Sequence, residues 1–255
     1  DKKNHSNFID SIVVVEDNIK NQILINSNDC LFEMAETVSK RIKNKFPKVD
    51  LLMTGYSGAG AYPQCFENLD KKQKITEGNK KKEKFLNNAL NFINIFKPDY
   101  VIPFAGQYEL SGKLSKLNEM RGVPNLIEAK AFLNKKSSSE CKLPIFEDQF
   151  LIENLKNTKE INIDFYNHKQ NYIEKLGNIK LDYEVETNES DITLIKELIP
   201  SAYSNFEKKR KEFKFSTETQ LYIELEKDNY LLINFNGKPY SFENQINKSL
   251  IKYIV

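Results

Sequence analysis

The strongest constraint on the fold is an alternation of short apolar runs and long amphipathic segments between Ile23 and Pro103. Residues 23–25 are a β-branched run. Residues 31–46 follow, with Leu31, Met34, Ala35, Val38 and Ile42 at helical spacing, and Pro47 ends that helix. Residues 49–54 read as a buried strand. Residues 71–96 then form a long helix. Its first half is lysine-rich and solvated, and Phe85, Leu86, Ala89, Phe92, Ile93 and Phe96 make an apolar stripe along it. Pro98 stops this helix, and residues 100–103 are a further buried strand. Strand, helix, strand, helix, strand at this spacing predicts right-handed crossovers onto one sheet, an α/β architecture.

Ahead of the alternation, residues 12–16 and 23–25 are suited to a hairpin, with the polar residues 17–22 as its loop. Asn28 or Asp29 is placed to cap the following helix. Beyond Pro103, residues 110–118 and 126–134 are expected to be short helices split by Gly122-Val123-Pro124. A polar Lys/Ser stretch at 135–140 leads to a boundary placed near residue 145. The first domain is then 1–145, and 146–255 is a smaller α+β segment. Its expected elements are helices at 166–175 and 191–212, strands at 219–226 and 230–235 joined at Asp228-Asn229, and a last helix starting near Glu243. There is no internal repeat.

Bulk properties exclude several function classes. The chain has 38 basic and 36 acidic residues, a net charge of +2, so there is no electrostatic case for nucleic acid or an anionic membrane as partner. No window reaches the roughly 18 apolar residues of a membrane span. Three cysteines, Cys30, Cys65 and Cys141, stand at no metal-ligand spacing, and their odd number argues against a disulfide framework. With no signal peptide in the opening residues, a reducing, cytoplasmic setting is expected. His5 and His168 are the only histidines, which limits the metal chemistry this chain does alone.

Three segments are candidates for a site. Asp29 follows a buried strand, where layered α/β folds collect functional loops; the plain alternative is a helix cap. His5 precedes the hairpin that ends at Asp29, and a tight hairpin would bring both to one sheet edge. Imidazole and carboxylate are ordinary ligands for zinc, iron or manganese, although a histidine in such a position is also a common surface residue. Residues 55–63 hold Gly55, Gly58 and Gly60 beside Tyr56, Ser57 and Tyr62. Their amides suit a phosphate or carboxylate, but the stretch lacks the Lys-Ser/Thr ending of a P-loop. The alternative is a tight connection with Tyr56 and Tyr62 packed as lids. Pro103-Phe104-Ala105-Gly106-Gln107-Tyr108 ends the next strand, so three neighbouring strand ends are expected around one cleft.

Several of these motifs resemble the metallo-β-lactamase superfamily: Asn4-His5-Ser6, Asp10-Ser11, Asn28-Asp29-Cys30, residues 55–66 and Pro103-Phe104-Ala105-Gly106. The similarity is to the branch of CMP-N-acetylneuraminate hydroxylase and its bacterial sugar-biosynthesis relatives. It covers about residues 1–135, with a less specific likeness at Ala202-Tyr203-Ser204 and Phe206-Glu207-Lys208-Lys209. The resemblance implies that His5 falls on the third metal motif and Asp29 on the fourth, the bridging carboxylate. The H-x-H-x-D-H motif that supplies most ligands in the family is absent. The family's final metal histidine would fall near Ala105, which cannot ligate. No Cys-x-His pair of a Rieske centre is present, which leaves the monooxygenase reading unsupported.

The resemblance implies the C-terminal half of a four-layered αββα sandwich followed by the α+β segment. It also implies a metal-dependent hydrolase-like activity on a small or sugar-nucleotide substrate. Zinc or iron would activate water there. His5 and Asp29 would be ligands, with the others upstream of residue 1. Gly55, Tyr56, Ser57, Tyr62, Phe104 and Gly106 would hold the substrate. A CMP-sialic-acid-like monooxygenase and a non-catalytic binding or scaffolding domain are the alternatives. A sandwich of this type packs a second sheet on the first; without it, apolar residues within 12–15 and 51–53 would meet water. The intact protein is therefore expected to extend beyond both ends, and the 255-residue chain alone to be unstable or to self-associate, an oligomer being possible.

Overall fold

The computed structural model describes residues 10–104, 106, 108–144, 151–158, 160, 165–181, 189–215, 220–226, 229–234 and 240–244. The chain divides into two compact units. The first holds residues 1–64 and 71–177, and the second holds residues 65–70 and 178–255. The architecture is mixed α/β, as the alternation predicts.

The first unit is built on a five-stranded sheet whose strands lie in sequence order. Strand β1 (Val13–Asp17) pairs antiparallel with β2 (Gln22–Asn26), with Asp17 opposite Gln22. The Asp17 carboxylate closes this hairpin by accepting from the backbone N–H groups of Ile19 and Lys20 at 2.8 and 3.0 Å. From β2 onward the pairing is parallel, through β3 (Leu51–Gly55), β4 (Tyr100–Phe104) and β5 (Glu140–Cys141). Helices α1 (Phe32–Lys45), α2 (Lys71–Phe96) and α3 (Leu126–Lys136) make the three crossovers. A 3-10 helix at Gly112–Met120 precedes α3, and α4 (Phe165–Gly177) ends the unit.

Crossovers of one hand joining strands in sequential order put every connecting helix on the same face. The core has that form. Ile23, Ile25, Leu52, Val101 and Cys141 from the sheet pack with Ala35 of α1, Phe92, Ile93 and Phe96 of α2 and Leu133 of α3. The other face is thinner. There Leu51 and Ile102 pack with Leu155, from a 3-10 turn at Ile152–Asn157. On the hairpin strand Val13 and Val15 stay about half exposed.

Two local expectations are corrected. Neither Asn28 nor Asp29 caps α1. They form a separate turn before it, with Asn28 at φ 48° and its N–H bonded to Asn26 Oδ1 at 2.8 Å, so the N-cap position falls on Leu31. The cap comes from another helix instead: Asn88 Oδ1 on α2 accepts the Phe32 N–H at 2.7 Å. An Asn88→Ala change is therefore expected to cost about 1 kcal/mol, the usual loss of a helix cap, although Asn88 lies far from α1 in sequence. Urea denaturation of the two proteins would measure it; an unchanged midpoint would remove Asn88 from that role. The polar stretch expected at 135–140 ends in strand β5. It is two residues long, too short to show alternation, and is held by Glu140 N–H to Asp99 O and Lys142 N–H to Val101 O at 3.0 and 2.8 Å.

In the second unit, α5 (Glu189–Glu212) precedes three antiparallel strands in sequence order, β6 (Gln220–Glu226), β7 (Asn229–Asn234) and β8 (Tyr240–Asn244). The helix expected to begin near Glu243 is thus corrected at its start, where Glu243 and Asn244 close a strand. Residues 245–255 lie outside the described residues. No helix among the described residues is long and apolar enough to cross a membrane.

Candidate functional site

Parallel strands that share a register end together. Asn26 lies opposite Met53 and Gly55 opposite Phe104, so the segments leaving β2, β3 and β4 emerge side by side at one sheet edge. Ser27 ties the first two together. Its N–H bonds Met53 O, and its buried hydroxyl donates to the Thr54 hydroxyl, both at 3.0 Å. A side chain at Gly55 would approach Asn28 O to 3.3 Å, which sets the Asn28-Asp29 turn against the start of the glycine loop. Asp29 itself is exposed.

The glycine loop meets the segment after β4 just as closely. The Ser57 hydroxyl donates to Gly106 O. A Cβ at Gly106 would stand 2.8 Å from Ser57 Oγ and 2.9 Å from the Tyr56 ring, so only glycine fits without displacement. Tyr108 and Gln64 both donate to Gly60 O, fixing the far end of the loop. Gly106→Ala is expected to push these two segments apart and destabilise the fold by roughly 1–3 kcal/mol, the usual cost of overpacking. Thermal unfolding, with Ser57→Ala as a second variant that relieves one contact, would test this; a silent Gly106→Ala would contradict the tight approach.

The two tyrosines of the loop differ. Tyr56 is buried, packing on Leu86 of α2 and Ala129 of α3, and burial pushes its phenol up to about 12. It is an anchor beneath the loop and stays protonated across the physiological range. Tyr62 is 36% exposed, and its hydroxyl donates to Glu77 at 2.7 Å. Lys80 and then Tyr62 hold the Glu77 carboxyl below its ordinary range. Lys81 reaches back from α2 to Tyr62 O at 2.7 Å. Phe104 is half-buried at the end of β4.

Arg121 and Gln64 contribute without any mark in the local sequence pattern. Arg121 is 3% exposed and lies 4.8 Å over the Tyr108 ring. It pairs with Glu109 at 2.8 Å and donates through Nε to Asn118 O at 3.2 Å. It holds the segment that carries Tyr108. Glu109 and Arg121 sit in irregular chain with no helical or strand period, so no local signal marks them as partners.

Of the residues singled out beforehand, Asp29, Gly55, Tyr56, Ser57, Tyr62, Phe104 and Gly106 all belong to these three segments. His5 and Ala105 lie outside the described residues, and the His168 side chain is likewise not described. Among the described residues no group of three or more His, Cys, Asp or Glu is placed to hold a metal ion. Burial, then the charges of Asp10 and Asp29, raise the Cys30 thiol above its ordinary value. No family model, no curated protein and no solved structure matches the chain.

Proposed function

We propose that this chain carries the substrate-facing strand ends of a metal-dependent hydrolase of the metallo-β-lactamase type. Its substrate class is a small molecule or sugar nucleotide, and its setting the cytoplasm. The observation that carries the reading is the meeting of three segments at one sheet edge: the Asp29 turn against Gly55, and Ser57 bonded to Gly106. Ligands of open α/β sheets bind outside the carboxyl ends of the strands. The two unlike faces of the sheet also support the reading. All three crossover helices pack on one face, whereas the other bears Val13 and Val15 half open, the layout that half of an αββα sandwich would have.

The metal is tested against the residues present. Asp29 offers one exposed carboxylate in a suitable place, but a zinc site takes about three or more protein ligands. The described residues do not complete such a set. The proposal therefore gives Asp29 one ligand position, gives His5 a second, and takes the remainder from outside these 255 residues. What the chain's own residues do is bind and orient. Gly55 and Gly106 let the three segments that border the substrate approach one another closely. Ser57 fixes the gap between the two loops. Tyr62, tied to Glu77, borders the opening.

Saturation-transfer NMR with a panel of nucleotide sugars, with zinc or iron(II) added, tests the substrate class. Binding is expected, and Ser57→Ala, which removes the Ser57–Gly106 hydrogen bond that fixes the two loops, should weaken it by about fivefold, the worth of that one bond. No transfer to any nucleotide sugar under either metal would contradict the assignment.

A further inference from the structure

Helix α1 is apolar on two faces, and the core uses only one. Ala35 and Ser39 are buried, whereas Leu31, Met34 and Val38 are 50%, 37% and 47% exposed. These three, with Ile12 and Cys30, wall a cavity of about 390 Å³ that Asp10 also lines. Small-molecule sites commonly fall between about 300 and 1,000 Å³, mostly apolar with a few polar groups. This cavity has that size and lining.

Its charge has one sign. Asp10 lines it, and among the described residues no lysine or arginine contributes to its wall.

We propose that this cavity is a binding site for a small amphiphilic cation, an ammonium or guanidinium group borne on an apolar chain. The apolar chain covers Ile12, Leu31, Met34 and Val38, and the unbranched Met34 adjusts to its shape. The cation faces Asp10. An anionic ligand meets repulsion from the Asp10 carboxylate. A second copy docked symmetrically through this patch sets acidic wall against acidic wall, since a two-fold interface brings each patch against itself. The site needs no metal, so it stands apart from the hydrolase reading.

Isothermal titration of the full chain with n-octylammonium, 1-octanol and octanoate, all with EDTA present, tests it. One octylammonium per chain is expected to bind. Octanol should bind about fivefold more weakly, the worth of one exposed ion pair, and octanoate more weakly still. Asp10→Asn should bring the ammonium and the alcohol to parity. Met34→Lys, at an exposed position, sets a fixed ammonium in the cavity and should abolish binding. Octanoate binding as well as octylammonium, octylammonium binding undiminished in Met34→Lys, or no binding of octylammonium at millimolar concentration would each overturn the proposal. So would binding of a basic peptide in place of octylammonium, which would make the groove a protein-docking surface.

Discussion

Replacing Gly122 with alanine is expected to remove roughly 3–5 kcal/mol of stability, from left-handed strain and overpacking together. Gly122 has φ +65°, and a Cβ there would stand 2.4 Å from the carbonyl oxygen of Gly78 and 2.6 Å from its Cα. Both neighbours are backbone, so no side chain can swing aside. Gly78 lies within α2, and Gly122 directly follows Arg121, the residue that holds Tyr108 in place. The substitution should therefore do more than lower the midpoint of a urea transition. It should shift the amide resonances of the glycine loop and of Gly106, through Arg121 and Tyr108. A loss below about 1 kcal/mol, the range of an ordinary surface change, would mean that α2 and the 121–125 connection do not touch as described.

Phe92→Ala is the second large effect, expected at about 3–5 kcal/mol. Phe92 is fully buried. It packs edge-on to Phe32 of α1 at 5.1 Å between ring centroids and parallel to Phe96 at 6.4 Å. Deleting the ring removes the shared contact of α1, α2 and the sheet. The cavity has little scope to collapse, because Leu52 and Val101 around it are held by strand pairing. Phe92→Leu, which keeps most of the apolar volume, should cost clearly less. Equal losses for the two variants would show that volume is not what Phe92 supplies.

Helix α2 was legible from end to end, because Pro98 marks its limit and the stripe from Phe85 to Phe96 keeps one face toward the sheet. The crossover order was legible too, since continuous apolar runs such as residues 51–53 suit strands covered on both faces. Helix α1 was legible as a helix but only partly in its facing: Ala35 and Ile42 of the expected stripe meet the core. Leu31, Met34 and Val38 have the spacing of a core stripe, yet the smaller Ala35 and Ser39 occupy the interior. Periodicity gives the angle of a face and not which of two apolar faces finds a neighbour. Strand β8 shows the opposite failure. Tyr240 and Phe242 alternate with Ser241 and Glu243, a strand period, although a helix was expected to begin near Glu243. At the candidate site, the strand ends were legible because strand length and order place them. Asn88, Gln64 and Arg121 were not, because each acts on a partner brought near only by the fold.

The central claim is that Asp29 is a metal ligand at the meeting point of the three strand ends. Isothermal titration of zinc and of iron(II) into the 255-residue chain and its Asp29→Ala variant tests it most directly. The account predicts weak binding to the chain, since His5 and Asp29 are fewer than the roughly three ligands a protein site uses, and loss of that binding in Asp29→Ala. Tight, stoichiometric binding that survives Asp29→Ala would contradict it.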